Sequence, residues 1–148
     1  MSFGKLRVLT LGLESRLTHK IGSDRLVMQW MLEQATFILN KVHVGEDGMT
    51  AHERTTGRKW NRPVVEFGET VLAKLALRRR EKCKEKKQKR KLARRCIDAV
   101  WVGQVVRTGE HIVIKENGDA VRCRTIKRVP VESRWNAEKV LLIKATPR

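Results

Sequence analysis

The chain has 148 residues, 41% of them hydrophobic, which suits one ordinary domain or two small ones with a modest core and excludes wholesale disorder. Lys and Arg number 33 against 16 Asp and Glu, a formal charge of +17. A surplus that large repels itself unless a polyanion neutralises it. Nucleic acid is favoured over an anionic membrane surface, because the basic residues do not accompany an amphipathic helix with a large apolar face.

From Gly4 to about His19, Leu6, Leu9, Leu13 and Leu17 recur every three or four positions, the stripe of a helix buried along one side. Gly12 weakens it, and Ile21-Gly22 ends it. Ser23 or Asp24 can cap a second helix that runs to about Val42. Its stripe of Val27, Trp30, Met31, Gln34 and Ile38 is widened by Met28, Ala35, Leu39 and Val42, an arc broad enough to predict packing on more than one side. After a Gly- and Asp-rich turn at Val44–Met49, Thr50-Ala51-His52-Glu53 fits a capping box and opens a short helix that stops at Gly57.

The period then changes to two. Val64–Phe67 leads through Gly68 into an alternating strand at Thr70–Leu75. Residues 78–95 break the pattern: Arg78, Arg79, Arg80, Lys82, Lys84, Lys86, Lys87, Lys89, Arg90, Lys91, Arg94 and Arg95 stand against only Glu81 and Glu85. The surplus of ten is more than half of the whole chain's net charge, so this insertion cannot bury a core. It reads as a phosphate-gripping segment, a solvated linker or a nuclear-import signal, and the first and last can both hold. Further strands are expected at Ile97–Val106, at Glu110–Lys115 and, after an Asn117-Gly118 hairpin turn, at Ala120–Val129. Four or five short strands with tight turns predict a small barrel of SH3-like or OB-like kind, closed by a helix from Glu132 to about Ile143 that docks Trp135 and Leu141.

Arg122, Arg124, Lys127 and Arg128 share a strand end beside Trp101 and read either as a second binding face or as a solubilising one. Trp60, between Lys59 and Arg62, reads as a stacking platform for a base or as packing under the linker, while Trp30 reads as core. His19, His43, His52 and His111 lack metal-ligand spacing. Cys83, Cys96 and Cys123, odd in number and without CxxC spacing, read as reduced thiols of an intracellular protein. Neither a nucleotide-binding glycine motif nor a nucleophile elbow is present, no apolar run approaches the roughly 18 residues of a membrane span, and no secretory h-region opens the chain.

Ile38-Leu39-Asn40, the run Asp47–Lys59 and Glu66-Phe67-Gly68-Glu69-Thr70-Val71 together resemble the end of the integrase catalytic core in long-terminal-repeat retrotransposon polyproteins. There a helix ending in "LLN" precedes a "DGKTPYERLTGRK"-like segment and then "EFGE-V". Ala99–Gly103, Glu110–Val113, Asn117-Gly118, Val121–Arg128 and Arg134-Trp135 are similar to that family's small C-terminal β-domain, in the same order.

The resemblance implies an α+β chain: residues 1–60 as helices from the end of a ribonuclease-H-like integrase core, and residues 61–148 as an SH3-like β-barrel domain with the basic insertion at 78–95. Family members join DNA with two metal ions held by an Asp, Asp, Glu set. Neither that set nor the family's His/His/Cys/Cys zinc region is matched here, and the neighbours of Glu14 do not fit the catalytic-helix motif. The expectation is therefore a non-catalytic fragment with no cofactor, binding DNA in preference to RNA and not a membrane. It would act in the nucleus if functional and otherwise lie in the cytoplasm, with self-association or association with a full-length integrase as further partners. Two other readings stay open: a basic RNA-binding structural protein of ribosomal type, and an inert pseudogene product.

Overall fold

A computed structural model describes residues 3–22, 25–62, 65–75 and 96–147. Helix α1 (Phe3–Leu17) buries Leu13 and Leu17 and half-buries Leu6 and Leu9, as the leucine spacing predicts. It stops before the Ile21-Gly22 pair because Thr18 takes a left-handed conformation with φ 52°. The Glu14 carboxylate then accepts the Ile21 amide at 2.8 Å and draws that buried side chain into the core. Helix α2 (Val27–Lys41) has no side-chain cap at Leu26; Ser23 and Asp24, the expected caps, lie outside the described residues. It buries Val27, Trp30, Met31, Gln34 and Ala35 of the expected arc and also Phe37, which that arc did not include; Met28, Ile38 and Leu39 are only half-buried, and Val42, past the helix end, is exposed.

Helix α3 (Ala51–Thr56) begins where Thr50 Oγ1 accepts the Glu53 amide at 3.1 Å. It ends on Gly57 at φ 69°, a conformation that a Cβ would strain. Arg54 reaches back to Asp47 and closes the preceding turn, holding the Asp47 carboxyl at about 2 chiefly through their hydrogen bond.

Five antiparallel strands complete the fold: β1 (Thr70–Lys74), β2 (Cys96–Gln104), β3 (His111–Ile114), β4 (Ala120–Cys123) and β5 (Thr125–Arg128), in the order β4-β3-β2-β1-β5. The continuous strand expected at Ala120–Val129 is thus two strands on opposite edges of the sheet, joined by Arg124 alone. One residue cannot cross a flat five-stranded sheet, whose neighbouring strands lie about 5 Å apart, so the sheet rolls until its edges meet at this corner. No ladder joins β4 to β5 among the described residues, and the sheet stays open. The mixed α+β class holds.

Register divides the side chains between two cores. Val71, Ala73, Ala99, Trp101, Val113 and Cys123 fill the inside of the roll. Val100, Val102 and Ile114 face the other way and meet Leu13, Trp30 and Met31. That outer core joins residues on both sides of the expected boundary at residue 60, and the Trp30 indole ties it shut by donating to the Ala145 carbonyl at 2.8 Å. The closing segment expected at Glu132–Ile143 is broken into a 3-10 turn (Val131–Ser133) and helix α4 (Ala137–Leu141), started by the Asn136 side chain accepting the Lys139 amide. Val140 and Ile143 are its buried anchors; Trp135 packs beside them, and Leu141 is only half-buried.

Glu69 is fully buried at the start of β1, with its carboxylate gripped at both oxygens by Arg128 at 2.8 Å and approached by Arg134 at 3.5 Å. Removing the arginine leaves the fully buried carboxylate short of its main partner, so Arg128→Ala is expected to lower the free energy of unfolding by about 3 kcal/mol. Urea denaturation followed by tryptophan fluorescence measures this; a loss below about 1 kcal/mol would show that the pairing is dispensable.

Candidate nucleic-acid interface

Strand pairing brings the basic regions together. Lys74, the last residue of β1, pairs with Cys96 on one side and Thr125 on the other. Lys74 and Cys96, on either side of the basic segment in the sequence, therefore sit next to each other in the sheet, and Arg124 adjoins them. Lys74 and Lys127 alternate along β1 and β5 on the outward face, opposite Thr125 and Leu72 respectively, and both are exposed. Sequence patterning does not single out Lys74, because its position beside β5 depends on a partner fifty residues away.

The four cations expected on one strand end are not equivalent. Arg124 sits on the corner between the edges, its side chain 89% exposed and only 3.6 Å from a Glu110 oxygen, a loose surface pair. Arg122 is exposed on edge strand β4, opposite Ile112. Arg128 is the exception: its guanidinium is matched by Glu69, which raises its already high pKa, so its charge is largely neutralised within the fold. Trp101, beside which the cluster was expected, is 1% exposed and belongs to the inner core. The twelve cations of residues 78–95 and Cys83 lie outside the described residues.

Trp60 is half-buried between α2 and α3. Its ring meets Phe37 and His52 edge-on, each at 5.6 Å, and the cations Lys41 and Arg62 lie 5.0 and 5.5 Å from its centroid. Its Nε1–H is buried without a hydrogen-bond partner among the described residues. The Arg62 guanidinium also lies against Gly109, which has φ 73° and lacks the Cβ that would overlap it. In this way the basic loop after α3 is packed onto the β2–β3 turn.

Cys96 and Cys123 are free thiols, and burial beside Glu110 pushes Cys123 up to about 11. Among the described residues no group of three or more His, Cys, Asp or Glu could hold a metal ion, and no helix is long and apolar enough to cross a membrane. No protein-family model, curated protein or solved structure matches the chain.

His111 accepts the Trp101 indole N–H at Nδ1 (3.2 Å), which requires the neutral imidazole, and burial lowers its pKa below the usual 6.5. On acidification the unfolded chain takes up this proton first. The stability is therefore present above about pH 6.5 and is lost as pH falls through the lower folded value. The urea midpoint is expected to drop between about pH 7.5 and about pH 5, and to drop less in His111→Gln. Equal drops in the two proteins would remove His111 as the cause.

Proposed function

We propose that the chain is a non-catalytic DNA-binding fragment related to the integrases of long-terminal-repeat retrotransposons, gripping duplex DNA through its phosphates. The observation that carries this reading is the pairing of Lys74 with both Cys96 and Thr125, which roots the segment with a surplus of ten positive charges next to Arg124 and Lys127. Arg122, Arg124, Lys127 and the cations of 78–95 then act as one field, with Arg128 serving mainly to hold the sheet.

The order of elements supports the family reading. Helices precede a small rolled antiparallel sheet in which one residue joins its opposite edges, an arrangement in keeping with an SH3-like C-terminal domain. The helices would correspond to the segment after the ribonuclease-H-like sheet of the parent enzyme. No three-carboxylate metal cluster occurs among the described residues, and Glu14, the carboxylate on α1, is occupied with the Ile21 amide. The proposal assigns the chain binding of DNA and no strand-transfer step. Its site of action is the nucleus, where the polyanion is.

Binding through phosphates is sequence-tolerant and releases one condensed counterion for each contact. For six or so contacts, log Kobs against log salt is expected to fall with a slope of about −5, a loss of roughly a thousandfold between about 50 and 200 mM. Replacing residues 78–95 by a short Gly-Ser loop should flatten that slope by more than half, and Arg124→Glu with Lys127→Glu should weaken binding about tenfold further. An affinity that barely responds to salt would overturn the proposal, and a marked preference for an RNA hairpin over duplex DNA would move it to the structural-RNA class.

A further inference from the structure

The loop after α3 gathers positive charge around one aromatic ring. Phe37 and Lys41 lie one turn apart on α2 and so face the same way, toward the Trp60 ring that His52 of α3 also meets. Phe37 is buried and meets the indole edge-on at 5.6 Å, which fixes the ring. The Lys41 ammonium lies 5.0 Å from the ring centroid and 2.6 Å from His52 Nδ1. An ammonium only donates, so the imidazole accepts there with a lone pair. The Arg62 guanidinium lies 5.5 Å from the same centroid, backed by Gly109. A third donor, the Trp60 Nε1–H, is buried without a partner among the described residues. Among those residues neither Lys41 nor Arg62 has a carboxylate at ion-pairing distance, although Glu33, Glu53 and Glu110 stand on the segments that flank them. The cluster holds donors in excess and lacks a negatively charged acceptor.

We propose that Lys41, Trp60 and Arg62 form a site for one phosphodiester of a bound DNA strand. The proposal rests on the DNA-binding reading and deepens it with a contact region outside the sheet. A phosphodiester spreads one negative charge over two non-bridging oxygens, so one oxygen can meet the Lys41 ammonium and the other the Arg62 fork. The indole N–H is a neutral donor at the same ring, and a phosphate oxygen is the kind of acceptor it lacks. Cation–π attraction holds both charges at the ring, so they lose less side-chain freedom on binding than cations on a bare surface. Both lie over the ring, where a base would have to stack, so Trp60 serves the cations in place of a base. Lys41 also borders the hollow between α2 and β4 that Arg122 borders from β4, and the site thereby continues the exposed cations of the sheet edge.

The test measures the affinity of the full chain for duplex DNA across a salt series. Each phosphate met contributes about 0.9 to the slope of log Kobs against log salt, so Lys41→Gln together with Arg62→Gln should lower it by about 0.9 if they share one phosphate. Two independent surface contacts would lower it by about 1.8, and an unchanged slope would show that neither cation meets DNA; either result overturns the shared site. Gly109→Ala puts a Cβ where the Arg62 guanidinium lies and should weaken binding about threefold at fixed salt. Gly48→Ala, at a similar φ of 77° but with open space around it, should leave binding unchanged, and equal effects of the two would count against the placement of Arg62. In the unaltered protein the Trp60 indole N–H resonance, assigned with Trp60→Phe, should shift on adding duplex DNA and stay in place with inorganic phosphate at the same phosphate concentration. A resonance that ignores the duplex, or that answers inorganic phosphate equally, would overturn the assignment to a DNA strand. Should the duplex bind with a steep slope that the double variant leaves intact, this site alone fails. Should no duplex bind even at low salt, the DNA-binding reading fails with it.

Discussion

The buried carboxylate of Glu69 is the constraint around which the sheet is assembled. It has no exposure to solvent, so its charge must be met inside the protein, and the two guanidiniums that meet it come from 59 residues and more further along the chain. Arg128 brings the end of β5 to the start of β1, while Arg134 brings the segment after β5, whose carbonyl accepts the Thr70 amide at 2.7 Å. On the other side the Glu69 carbonyl accepts the Trp101 amide, fixing β2. A buried ion pair adds little net stability against apolar residues of the same shape, but one left without its partner is costly. The arrangement therefore penalises every register of β5 on β1 that would separate Arg128 from Glu69.

That fixed register explains the rest of the molecule. With β5 held on β1, and β4 joined to β5 through Arg124 alone, the sheet has to roll, and rolling encloses Trp101, Val113 and Cys123. The opposite face keeps an apolar strip of Val100, Val102 and Ile114, which the leucine and tryptophan stripes of α1 and α2 cover. Both edge strands end up bearing exposed cations, Arg122 on β4 and Lys127 on β5. Like charges on open edges also discourage edge-to-edge pairing between copies. The basic surface thus protects the exposed edges of the sheet.

Features set by near neighbours are legible in the chain's own pattern. The leucine spacing of α1 is one, and so are the Thr50 cap, the Gly57 stop and the Gly118 turn at φ 89°, because each depends on contacts within a few residues. Composition likewise locates the basic segment, since charge density needs no fold to be counted. Alternation along Ala120–Val129 reads as one strand, yet its inward residues Val121, Cys123 and Ile126 are spaced by two and then by three, the slip of one residue that the corner at Arg124 introduces. Arg128 counts with the free cations because nothing near it reveals that Glu69 lies beneath it. Gln34 is visible as a polar residue in an apolar stripe, yet only the packing around α2 leaves it at 3% exposure. The sequence by itself determined the local elements and the sign of the surface. Tertiary structure decided which charges are spent inside the fold and which face outward, because that depends on partners that chain proximity does not specify.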